Sequence, residues 1–128
     1  MPRALAALAC LIAFLAPGLV LAGVSEEDFK VRTTQNIYNL CTAAAKDPLH
    51  DNAVHFCQGF LLGAFEYHEA IHNGPEGKPL VCLPEKPPTR DEAIAMFMEW
   101  IKAHPHYLND KPVESEFRFL MEKWPCKR

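Results

Sequence analysis

Basic residues are not in surplus in this 128-residue chain. Thirteen Lys and Arg face sixteen Asp and Glu, for a formal net charge of −3. With no excess of positive charge to neutralise phosphates, a strongly electrostatic nucleic-acid binder is excluded. Charged residues make up 23% and apolar residues 49%, a balance too apolar and too weakly charged for a disordered chain. Several catalytic signatures are also missing. Ser25 and Ser115 stand outside any G-x-S-x-G context, which removes the usual nucleophile elbow. No C-x-x-C-H offers haem attachment, and no glycine-rich loop cradles a phosphate. Internal repeats and low-complexity segments are absent too, and the length suits a single domain.

The N-terminus is different in kind. Arg3 is the only charge before Glu26, and the run Ala4–Ala22 is apolar with small residues at its end. A basic start, an apolar stretch and small residues before a cut are the parts of a secretory signal peptide. Cleavage is expected between Ala22 and Gly23, with Val20 and Ala22 three and one residues before the cut. An uncleaved anchor is the weaker reading, because Pro17-Gly18 interrupts the run and no basic stop-transfer cluster follows. A lipoprotein modified at Cys10 is also weaker, because that cysteine comes too early. Export to the periplasm with no membrane attachment after cleavage is the expectation. Residues 1–22 are then the signal peptide and 23–128 the working domain. Loss of Arg3 takes the net charge from −3 to −4.

Losing Cys10 leaves Cys41, Cys57, Cys82 and Cys126. An even count in an exported chain reads as two disulfides, with three possible pairings. Each bridge is worth about 2–4 kcal/mol, which matters for a core of this size.

Helical periodicity runs through the rest. Ser25 is placed to cap a first helix that begins in Glu26-Glu27-Asp28 and carries Phe29, Thr33, Ile37, Leu40, Cys41 and Ala44 on one face. Asp47-Pro48 ends it. Asp51 or Asn52 can cap a second helix whose stripe is Val54, Cys57, Leu61, Ala64, Phe65 and His68, flanked by Phe56, Phe60, Tyr67 and Ile71. Asn73-Gly74-Pro75 stops it. Residues 73–88 hold five prolines and two glycines, which excludes a helix or a central strand there. Val81-Cys82-Leu83 is expected to pin this loop to the body. Thr89 and Glu92 form a capping box for a third helix with Ile94, Phe97, Met98 and Ile101 inward. Pro112 opens a fourth, with Val113, Phe117, Leu120, Met121 and Trp124 as its stripe. The fold class is therefore all-α: a small disulfide-stapled bundle of about four helices in two antiparallel hairpins. A hairpin of helices one and two favours Cys41–Cys57, which leaves Cys82–Cys126; the connectivity itself is not fixed by sequence.

Two motifs need weighing. His68-Glu69-Ala70-Ile71-His72 spells H-E-x-x-H, which on a helix can bind zinc and supply a general base. The helix breaks just after His72, no third ligand is evident, and no strand flanks it, so His68 and His72 are weak metal candidates and no cofactor is expected. Gly59 and Gly63 lie four apart on the second helix, each at a cost of about 1 kcal/mol relative to alanine. They read first as close packing against helix one and second as a dimer or partner face. The acids of helices three and four, Glu116 among them, read as caps and solvated faces.

The order of motifs carries a resemblance. Ile37-Tyr38-Asn39-Leu40-Cys41 closes the first helix. Cys57-Gln58-Gly59-Phe60 continues through Gly63-Ala64. Cys82-Leu83-Pro84, a threonine-capped helix, His104-Pro105 and Trp124-Pro125-Cys126 follow. The chain resembles the Rap/Tai family of periplasmic immunity proteins of Gram-negative bacteria over about residues 30–126. The resemblance implies a helical, disulfide-bonded homodimer that does no chemistry. Such a protein covers the catalytic cleft of a type VI secretion effector, typically a peptidoglycan amidase. A binder of this kind needs exposed loops on a rigid scaffold. Asn73–Lys86 and His104–Lys111 qualify, with Asn73, Glu76, Lys78, Lys86, His106 and Tyr107 as the expected contact residues. Two competing readings are another periplasmic binding module on the same fold and a small zinc hydrolase built on His68, Glu69 and His72.

Overall fold

The computed structural model describes residues 23–127. The expected signal peptide, its cut after Ala22 and Cys10 lie outside the described residues. Four helices follow one another: α1 (Thr34–Cys41), α2 (His50–His72), α3 (Arg90–Ala103) and α4 (Pro112–Lys123). Single 3-10 turns occupy Asp28–Lys30 and Pro105–Tyr107. Among the described residues there is no strand, only a backbone bridge between Val81 and Pro125. The chain is an all-α disulfide-stapled bundle.

The first helix starts later than its periodicity suggests. Val31 turns the backbone into the left-handed region at φ 45° and splits the segment. A new start follows at Thr33, whose hydroxyl accepts from Asn36 N while Asn36 Oδ1 accepts from Thr33 N. Ser25 does not cap a long helix; its N–H and hydroxyl both donate to Asp28 Oδ2 at 2.9 Å. Asn36 and Asn39 donate to the other oxygen of Asp28 at 3.1 and 2.9 Å. Four short-range donors converging on one buried carboxylate stabilise a break that propensity alone does not show.

α1 is short but central, and it packs against all three other helices. Ile37 and Leu40 are wholly buried, in a core shared with Cys57, Leu61, Phe97, Ile101, Phe119 and Leu120. Its first amides are satisfied from outside the helix. Thr34 N donates to Asp110 O at 2.8 Å and Gln35 N to Leu108 O at 2.9 Å. Thr34 and Ser115 share a buried hydroxyl hydrogen bond of 2.7 Å. These bonds fix the α3–α4 connection against the start of α1.

α3 begins as its capping box dictates, with Thr89 and Glu92 bonded reciprocally. The N-cap of α2 is Leu49, two residues before the nearer expected cap, Asp51, and it has no side-chain cap bond. Asp47 takes that role from outside: its carboxylate accepts Leu49 N and Val24 N, each at 2.8 Å. α4 has the expected period and a shifted phase. Pro112, Ser115, Glu116, Phe119 and Leu120 are buried, whereas Val113 and Met121 are exposed. Phe119 stacks on Phe97 at 5.5 Å, and that packing, with the Thr34–Ser115 bond, sets the rotation of the helix.

The disulfides join Cys41 to Cys57 and Cys82 to Cys126. They close separations of 16 and 44 residues, worth about 3 and about 4 kcal/mol on chain-entropy grounds. The first holds the end of α1 against α2. The second holds the long loop against the chain end, where Cys82 N also donates to Trp124 O at 2.9 Å.

Candidate partner-binding surface

The loop between α2 and α3 is anchored through three consecutive residues. His68 Nε2 accepts the Leu80 N–H at 3.0 Å. Val81 is buried and bridges Pro125. Cys82 carries the disulfide. On either side of this anchor the loop stands in solvent. Asn73, Glu76 and Lys78 are exposed before it and Lys86 after it. The tip is shaped by Gly77, which folds back so closely on the His72 carbonyl that a Cβ there would collide with it. Asn73 Nδ2 donates to Glu69 Oε2 at 2.6 Å and closes the end of α2.

Beside this loop lies an apolar surface that the sequence pattern had placed at the edge of the core. Tyr67 is 68% and Ile71 51% exposed. With Phe56, Phe60 and Ala64 they form an i, i+4, i+8, i+11, i+15 stripe along α2. Ala64, Tyr67, Ile71, Leu80, Val113 and Phe117 wall a shallow groove with His68 at its base. Gly59 and Gly63 lie on the same side, exposed, with nothing within 4 Å of where a Cβ would stand. Their expected role in close packing against α1 is therefore wrong. Cys57 and Leu61 make the core contact instead. The available signal was that α2 carries more apolar residues than one buried face can hold.

His106 and Tyr107 lie elsewhere, on the turn between α3 and α4. Tyr107 is half-buried and stacks on Trp100 at 5.3 Å with planes 4° apart. The Arg118 guanidinium lies over the Tyr107 ring, 5.1 Å from its centroid, a cation–π arrangement. His106 is exposed. Among the described residues no hydrogen bond or ion pair joins this turn to the Asn73–Lys86 loop. The six expected contact residues thus fall into two groups: Asn73, Glu76, Lys78 and Lys86 on the anchored loop, and His106 and Tyr107 on the turn.

The H-E-x-x-H segment is used structurally. His68 is 3% exposed, and its Nε2 is occupied as an acceptor, which puts the ring proton on Nδ1. Nδ1 lies 3.4 Å from Glu69 Oε1 without hydrogen-bond geometry. The His72 ring packs on His68 at 4.6 Å, and the Phe117 ring packs on it at 5.1 Å. Among the described residues no three His, Cys, Asp or Glu side chains gather to hold a metal.

One further feature escaped the sequence reading. Glu116, read as a solvated acid, is 5% exposed and lines a cavity of about 220 Å³ between α2, α3 and α4. Burial pushes its carboxyl up to about 8, and Oε2 has no hydrogen-bond partner. Nothing in a single sequence separates this acid from Glu114 or Glu122 except its place three residues before Phe119 on the inward face.

Fold and surface together define a small, disulfide-stapled helical domain that presents an anchored loop and an apolar helix face. A family model for Rap1a immunity proteins matches residues 33–126. The chain belongs to the Rap1a immunity protein family. No curated protein and no solved structure matches it.

Proposed function

We propose that this chain is a periplasmic immunity protein that binds and neutralises a type VI secretion effector, a peptidoglycan amidase, without doing chemistry itself. Membership of the Rap1a immunity family over residues 33–126 carries the reading. The anchored loop supports it. Two stretches of exposed chain flank an anchor made of a histidine, a backbone bridge and a disulfide, so the loop costs little ordering entropy on binding. Asn73, Glu76 and Lys78 at its tip, with Lys86, His106 and Tyr107, are the proposed contact residues. The proposed homodimer forms through the α2 stripe of Phe56, Phe60, Tyr67 and Ile71. There Gly59 and Gly63 allow a second helix to approach closely.

The test is a titration. The effector that kills cells lacking this gene is purified, and its cell-wall hydrolysis is followed as this protein is added. Inhibition is expected to complete at one chain per effector molecule. Loss of activity at far substoichiometric amounts would mean that the chain acts catalytically on the effector, and no inhibition would remove the reading.

A further inference from the structure

The Glu116 cavity is not needed by an immunity protein that works through its surface. Its walls are mostly apolar: Leu61, Phe65, Ile94, Phe97 and Leu120 line it with Glu116. Leu62 and Leu83, both exposed, mark its mouth. An unpaired buried polar group ordinarily costs about 1–3 kcal/mol, and Glu116 carries one in the wall of this cavity. The charged groups that share the cavity do not relieve it. Glu66 on α2 has the same sign, and Arg90 on α3 is turned to Asp91, with Nε to Oδ1 at 3.1 Å. Apolar cavities of about 150 Å³ accept a benzene-sized guest, so this one has room for a ring with a short polar arm.

We propose that the cavity is a binding site for a small apolar primary amine, whose ammonium pairs with the Glu116 carboxylate while its hydrocarbon body fills the space between Phe65, Phe97 and Leu120. A donor is what Oε2 lacks, and a cation is what no neighbouring side chain supplies. An ion pair formed there is shielded from water and stronger than one at the surface. The empty site holds a neutral acid at pH 7. Binding of an ammonium therefore moves the Glu116 proton to the buffer and leaves a carboxylate–ammonium pair.

The experiment is isothermal titration of the full, oxidised protein at pH 7 with benzylamine, benzyl alcohol and toluene, repeated in two buffers of different ionisation enthalpy. Benzylamine is expected to bind at least about tenfold more tightly than benzyl alcohol, with release of about one proton seen as a buffer-dependent enthalpy. Glu116→Gln keeps the shape and removes the charge; it is expected to abolish the preference for amine over alcohol. Equal binding of the three probes, no binding, or an amine preference that survives in E116Q overturns the proposal. The proton release is read on the wild-type protein alone, so the test stands even if the variant folds poorly. None of these readouts depends on an effector, so they leave the immunity reading untouched.

Discussion

His68 Nε2 accepts the backbone N–H of Leu80, twelve residues further along, at 3.0 Å. One buried side chain of α2 thereby fixes the midpoint of a proline-rich loop that has no secondary structure of its own. The bond explains why the histidine sits on an apolar face.

Replacing His68 with alanine leaves the Leu80 N–H without its acceptor and removes packing against His72 and Phe117. A loss of about 1–3 kcal/mol is expected. Urea unfolding measures it, and amide exchange at Leu80 localises it. Unchanged exchange at Leu80 in H68A would show that the loop is held by the disulfide alone.

The two bridges are expected to differ in weight. Removing Cys82–Cys126 as a Ser pair should cost about 4 kcal/mol, and removing Cys41–Cys57 about 3 kcal/mol. The first variant should also free the loop ends, read as faster proteolysis around Leu83–Pro88. Thermal melting that is unchanged by full reduction would contradict the stabilising role of both.

Glu116 sets a pH dependence whose sign is fixed. Its carboxyl is raised from 4.5 to about 8, so the native state keeps a proton that the unfolded chain has already lost. Its contribution to stability is complete below about pH 4.5 and declines by about 1.4 kcal/mol per pH unit as pH rises toward 8. Asp28 works the other way. Burial raises its pKa, but hydrogen bonds from the Ser25 backbone, Asn39, Asn36 and the Ser25 hydroxyl outweigh this and leave it lowered. Its stabilisation is present above its ordinary value and lost as pH falls through the lowered one. E116Q should therefore melt higher than wild type at pH 8 and close to it at pH 5. Parallel melting curves across that range would rule out a buried acid at this position.

The α2 stripe separates folding from association. Tyr67→Asp with Ile71→Asp changes exposed residues, and stability should shift by no more than about 0.5 kcal/mol per site. Light scattering is expected to report a monomer for this variant and a dimer for wild type. Equal masses for the two would take the proposed dimer off this face.

Local signals located most of the fold. The Thr89–Glu92 capping box, Pro112 at the start of α4 and the Asn73-Gly74-Pro75 stop each act within a few residues, and each falls where the chain pattern puts it. A hairpin of the first two helices favours Cys41–Cys57, with Cys82–Cys126 as the remaining pair, and the structure has both. What a sequence pattern does not carry is rotation and long-range satisfaction. α4 turns inward by the faces of Ser115 and Phe119 because Thr34 and Phe97 wait for them, and those partners are remote in the chain. The break at Val31 depends on four donors gathering at Asp28. The candidate surface was legible as a loop and, as a helix face, only through the second reading of Gly59 and Gly63, because Tyr67 and Ile71 have the same periodicity as core residues and differ only in having nothing packed on them.

The most direct measurement is a contact-dependent competition. A strain lacking this gene is mixed on a surface with its parent, with and without a working type VI apparatus in the parent, and is complemented with the full chain or with residues 23–128 alone. The deletion strain is expected to die only beside a secreting parent and to be rescued by the full chain but not by the leaderless one. Equal survival beside secreting and non-secreting parents would contradict the immunity assignment, and rescue by the leaderless chain would contradict action in the periplasm.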